Sequence, residues 1–212
     1  MGFLEDIEVV RVECARLTSH QRLAVTALCA TKVRSVSMAF LHDSGEGGSF
    51  YRINSGLDAV WLDLRGIQQA SASDLMRVRD EAERWIDRLE DVGGEAAGFA
   101  ADAISVSVSA MSSFLEEDPE AAVNSALSIA EIRSEIAEFL AECQNAEGEY
   151  FPKSDEAGEE SLSETKRDVE FLGEFSADEF PATRFMRRAG AANLALAEQM
   201  KLVLKADRLR LP

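Results

Sequence analysis

Ile104-Ser105-Val106-Ser107-Val108-Ser109-Ala110 decides the fold class of this chain. Strict apolar–polar alternation is the signature of a half-buried strand. The same residues also lie on a helical stripe of Phe99, Ala103, Val106, Ala110 and Phe114, which step by three and four. No other stretch alternates, so a strand here would have no partner for its ladder, and a lone strand is not stable. Helix is therefore the expected state, and the whole chain is expected to be all-α.

The flanking sequence agrees. Val25, Cys29, Val33, Val36 and Phe40 form one stripe, and Leu75, Val78, Ala82, Trp85, Leu89 and Val92 a second. A third joins Ala122, Ala126, Ile129, Ile136, Leu140 and Cys143, and a fourth joins Phe185, Ala189, Ala192, Leu196, Met200 and Val203. Start and stop signals bracket these stripes. Ser19 is placed to cap a helix running to about Leu41, and Ser73 the next clear one, which stops at Gly93-Gly94. Asp118-Pro119 pairs a capping residue with proline at the first helical position, and Pro181 opens the last helix. Connectors are expected at His42–Ser49, at Gly93-Gly94 and at Glu147–Gly158. The expectation is a single all-α domain over residues 1–212, a compact bundle of about eight helices with an acidic loop at about 147–160 and no internal repeat.

Charge is distributed unevenly along this bundle. Fifteen of the 39 carboxylates fall between Glu135 and Glu179 against Lys153, Lys166 and Arg167, so that stretch carries −12 of the chain's formal −17. After it, Arg184, Arg187, Arg188, Lys201, Lys205, Arg208 and Arg210 face only Glu198 and Asp207. The cations of this last segment are expected to neutralise the neighbouring acid within the same domain. A net −17 is repelled by phosphate backbones and anionic lipid headgroups, so neither nucleic acid nor membrane is expected as a partner.

A 46% hydrophobic and 29% charged composition is that of a globular protein rather than a disordered chain. No apolar run approaches the roughly 18 residues of a membrane span. The opening Met1-Gly2-Phe3-Leu4-Glu5-Asp6 lacks the basic and apolar regions of a secretory signal, and Asp6 stands where a myristoylation motif needs Ser or Thr. Cys14, Cys29 and Cys143 are an odd, widely spaced set in apolar helical contexts, which suits free thiols in a reducing cytoplasm.

Motifs that carry chemistry are not found. A di-iron bundle needs Glu-x-x-His pairs, whereas Leu17 precedes His20 and Ala39 precedes His42 by three. Zinc-type Cys/His spacing, a nucleophile elbow, a Walker loop and a dinucleotide fingerprint are likewise missing. Glu131, Glu135, Glu138 and Glu142 share one helical face, which reads as a solvated surface. Trp61 and Trp85 sit on apolar stripes and read as core. No metal, cofactor or catalytic residue is expected, and the chain is not expected to be an enzyme; an unrecognised carboxylate site is the remaining route to one.

Thr18-Ser-His-Gln-Arg-Leu-Ala-Val-Thr-Ala-Leu-Cys29, then Leu57-Asp-Ala-Val-Trp61-Leu-Asp-Leu64, resembles the YjaG-like bacterial helical family of unknown function. Ala101-Asp-Ala103 through Ala121-Ala-Val-Asn-Ser-Ala126 is similar to that family's paired small-residue helices, and Glu164-Thr-Lys-Arg-Asp168-Val-Glu-Phe-Leu172 to its segment near the C-terminus. The chain departs at His20-Gln21, where the family has Trp-Gln, and at Arg34-Ser35-Val36-Ser37, where it often has Pro-Asn-Tyr. The resemblance implies a compact helical protein of the bacterial cytoplasm and supplies no catalytic residues.

The function expected from these observations is an acidic protein-binding module of immunity or antitoxin type, which occludes the basic active site of a toxin. Its partner-binding surface is expected at Glu147, Glu149, Tyr150, Phe151, Asp155, Glu156, Glu159, Glu160 and Glu164, where two aromatics are ringed by acid. The alternative is a structural or assembly subunit, a homodimer that buries the basic last helix against a neighbour's acidic face.

Overall fold

The computed structural model describes residues 3–144, 154–175 and 180–210. Among them it shows nine helical segments and no strand: α1 (Phe3–Arg16), α2 (Ser19–Asp43), α3 (Gly47–Leu64), α4 (Ala72–Val92), α5 (Glu95–Glu116), α6 (Ala121–Gln144), α7 (Ser154–Gly173), α8 (Ala182–Arg187) and α9 (Gly190–Arg210). The deciding stretch lies inside α5. Its serines do not need a ladder, because Ser107, Ser109 and Ser113 each donate their hydroxyl to the carbonyl four residues back, at 3.4, 3.2 and 2.8 Å. Ile104, Val106 and Ala110 are buried, so the 3.6-residue period rather than the two-residue one meets the core.

α2 is the central element, packed against α3, α5, α6 and α9. A helix enclosed on every side has no solvent face, and buried polar groups on it must find partners. They do. Thr26 and Thr31 donate to the carbonyls of Arg22 and Ala27, and Thr31 Oγ1 also accepts the indole N–H of buried Trp61 at 2.9 Å. Ser35 is stitched to Asn193 of α9 twice, through its backbone N–H at 3.0 Å and its hydroxyl at 2.7 Å.

α2 starts one residue earlier than its sequence suggests. Thr18, not Ser19, is the cap, and its side chain and Gln21 form a reciprocal capping box. Gln21 is itself buried, and its amide donates to Leu172 O and Phe175 O, both at 3.0 Å. One side chain therefore closes the start of α2 and holds the end of α7. At α4 the cap is Ser71 rather than Ser73, accepting from Asp74 N.

The connectors are shorter than the glycine content suggests. The His42–Ser49 connector contracts to Ser44–Glu46, because Ser44, Gly45 and Glu46 bond back to Phe40, His42 and Leu41 and α3 resumes at Gly47. Only Gly45 in that turn takes a positive φ, of 82°. Gly93 and Gly94 do break the chain, at φ 70° and 89°. Asp118 accepts from Glu120 N at 2.9 Å, but one further turn intervenes before α6 begins at Ala121. The last helix is divided in two at Arg188–Ala189.

α2 and α5 correct one expectation. Both are long and apolar enough to cross a membrane by length and composition. Their apolar windows are 72% and 56% buried within the protein, so here they serve as core helices packed on each other.

Candidate functional site

The acid block is partly internal. Asp168 of α7 is 3% exposed and sits opposite Lys32 of α2, also 3% exposed, with Lys32 Nζ donating to Oδ2 at 2.6 Å. Arg188, between α8 and α9, donates its Nε to the other carboxylate oxygen. Arg133 of α6 then reaches Glu164 at 3.0 Å and Glu160 at 3.4 Å on α7. A cation from each of three regions thus ties α7 to the bundle. The guanidiniums of Arg184 and Arg188 also lie over the Phe171 ring, 5.1 and 4.8 Å from its centroid. Further along, Asp43 pairs with Arg208, and Asp207 accepts from Ala96 N at 3.3 Å at the start of α5, where a negative charge suits the helix terminus.

These contacts revise the expected partner surface. Glu147, Glu149, Tyr150 and Phe151 lie outside the described residues. Asp155, Glu156, Glu159, Glu160 and Glu164 are on α7 rather than in a loop, since the helix already begins at Ser154. Asp155, Glu156 and Glu159 are exposed. Glu160 is exposed but engaged by Arg133, and Glu164 is half-buried against Arg133 and 3.9 Å from Lys32. Glu164 is thus braced against the bundle and only partly open to solvent.

A second acidic region lies in the groove between α5 and α6, lined by Asp102, Ser105, Ser128, Glu131, Ile132 and Glu135, with a volume of about 140 Å³. Burial pushes the Asp102 carboxyl above its ordinary range, and Glu131 and Glu90 push it further the same way. Burial also raises Glu135, followed by Asp102, Glu131, Glu95 and Glu138. The charges that raise these two groups are all carboxylates. Glu131, Glu135 and Glu138 are solvent-exposed, as their helical spacing predicts. The spacing could not show that Asp102, from a different helix, faces them, because that depends on the register of α5 against α6.

A larger cleft of about 330 Å³ joins Ser19, His20, Arg22 and Leu23 at the start of α2 to Asp63, Ser113, Phe114, Glu117 and Asp118. Its polar groups are largely committed. Arg22 donates to Leu17 O at 2.6 Å, Asp63 accepts from Ala70 N, and His20 packs edge-on against Phe180 at 5.4 Å. Among the described residues no group of three or more His, Cys, Asp or Glu is arranged to hold a metal ion.

The three thiols are free. Burial raises Cys14 to about 11 and Cys29 to about 12, so both are protonated at neutral pH and poor nucleophiles.

No family model, curated protein or solved structure matches the chain.

Proposed function

We propose that this chain is an acidic protein-binding module. The observation that carries this reading is the α5–α6 groove, where Asp102, Glu131 and Glu135 repel one another with no cation among the charges acting on Asp102 and Glu135. On α7, by contrast, the buried Asp168 is matched with Lys32 and Arg188. A groove left at high negative potential is relieved when a lysine or arginine of a partner enters it, and the long-range field speeds the encounter. The exposed Asp155, Glu156 and Glu159 on α7 add to that field. In its narrower form the module is a neutraliser of immunity or antitoxin type that occludes the basic active site of a toxin in the cytoplasm.

The test is binding to a lysine- and arginine-rich protein ligand, immobilised and titrated at several salt concentrations. The expected result is fast, salt-sensitive association that is weakened by Asp102→Asn/Glu131→Gln/Glu135→Gln. The charge-matched Asp80→Asn/Glu83→Gln/Asp87→Asn variant on α4 should bind as the parent does. Equal loss in both variants would leave only non-specific attraction and overturn the assignment of the groove.

One observation favours the second reading, a homo-oligomeric structural subunit. α9 exposes Leu194, Leu202 and Leu209 at 70%, 39% and 80% beside Lys201 and Lys205. Light scattering across ionic strength separates the two, since a monomer at every salt concentration removes this one.

A further inference from the structure

α3 and α4 border a polar cleft of about 220 Å³. Arg52 of α3 and Arg84 and Arg88 of α4 all line it, with Trp85 between the last two. The two carboxylates of the cleft are already engaged. Glu81 pairs with Arg52 Nε at 3.0 Å, and Glu46 accepts from the Ser49 hydroxyl at 3.4 Å. Arg52 also donates to Ser49 Oγ at 3.2 Å. Among the described residues no carboxylate stands within ion-pair distance of Arg84 or Arg88, in a chain with 39 carboxylates and 22 lysines and arginines. Two arginines one helical turn apart repel each other unless an anion lies between them. Arg88 is held by its stacking on Trp85, 5.0 Å from the ring centroid, which restricts its side chain before any ligand arrives.

We propose that this cleft is a binding site for a compact phosphoryl oxyanion. Each guanidinium presents parallel N–H donors that match an oxyanion, and Arg84 and Arg88 both line the cleft. The volume is below the roughly 300 Å³ of pockets for drug-sized organic ligands, which selects a small ion or a phosphomonoester head. Glu46 and Glu81 within the cleft are engaged by Ser49 and Arg52, and acid farther than about 10 Å is screened at 0.1 M salt.

Trp85 is half-buried in the cleft wall, whereas Trp61 is buried and bonded to Thr31, so tryptophan emission reports on the site. The experiment titrates the full chain with inorganic pyrophosphate at constant ionic strength, by fluorescence and in parallel by calorimetry, with chloride as the reference. Saturable binding is expected, weakened on the order of tenfold or more in Arg84→Gln/Arg88→Gln. The charge-matched Arg11→Gln/Arg16→Gln variant, altered at surface ion pairs on α1, should bind as the parent does. Circular dichroism establishes that each variant is folded. A second arm with phenyl phosphate against inorganic phosphate separates the sources: tighter binding of the ester assigns an organic phosphate, tighter binding of the free ion an inorganic one. No saturable heat from any of the three phosphates, or equal weakening in both double variants, overturns the proposal.

Discussion

Lys32 shows what a single side chain can decide in this fold. It is a charged residue in the middle of α2, and it tolerates 3% exposure because its ammonium donates a hydrogen bond to Asp168 at 2.6 Å. Removing one member of a buried pair leaves the other charged and poorly solvated, which costs more than the pair itself is worth. Lys32→Met keeps the volume and deletes the charge, and is expected to destabilise the protein by about 3 kcal/mol in urea unfolding. Arg188 continues to serve Asp168, which limits the loss. Lys32→Met/Asp168→Leu should recover much of it, and a single variant within about 0.5 kcal/mol of the parent would show that the pair is not desolvated. In the sequence, Lys32 is one polar residue interrupting an apolar stripe. Its partner is 136 positions away, and no local pattern connects them.

At the scale of elements, the stripes of α4, α5, α6 and α9 were legible because burial of one face imposes a 3.6-residue period on the sequence; α2 is buried nearly all round, and on α4 the expected stripe fails at its end, where Val92 is exposed. Val25, Cys29, Val33, Val36, Ile129, Ile136, Leu196, Met200 and Val203 are all buried as those stripes require. Boundaries were less legible. Ser, Thr and Asp near a helix start can each cap it, and which one does depends on the backbone entering the turn. That is why Thr18 and Ser71 replace Ser19 and Ser73. Helix proximity was not legible either. Gly56 of α3 is buried, and a Cβ there would collide with Met111 Sδ of α5 and come within 2.9 Å of Val78 Cγ1 of α4. Gly56→Ala improves intrinsic helix propensity by about 1 kcal/mol, yet the overpacking of three helices should outweigh it. A net loss of about 1–2 kcal/mol is expected in thermal or chemical unfolding. A stabilised variant would mean that Met111 repacks freely.

The whole molecule carries its charge in two different states. Asp168, Glu160 and Glu164 are consumed by Lys32, Arg133 and Arg188 in holding α7, whereas Asp102 and Glu135 face only like charge. A carboxyl whose folded pKa lies above its unfolded value binds protons more tightly in the folded state, so stability falls as pH rises through that window. The repulsion among Asp102, Glu90, Glu95, Glu131, Glu135 and Glu138 is therefore fully present at neutral pH and fades on acidification into the carboxylate range. Glu135→Gln is expected to raise the melting temperature slightly at pH 7 and to give no gain near pH 4. The effect is small because the group is largely solvated. A gain that is the same at both pH values would mean that charge repulsion is not its source.

Helicity, the course of most helices and the concentration of acid before a basic last segment were all legible in the order of residues. Each of these follows from short-range periodicity, local capping chemistry and simple charge counting. Which carboxylates are spent and which remain open depends instead on how the helices pack. Glu164 turns inward to Arg133, while Asp102 turns toward Glu131 and Glu135 across an interhelical groove. The same holds for the cations: Arg188 is spent on the buried Asp168, and Arg84 and Arg88 line a cleft with no ion-pair partner among the described residues. Electrostatic energy depends on distance and on the dielectric between groups, and both are set by how helices far apart in the chain come to lie side by side.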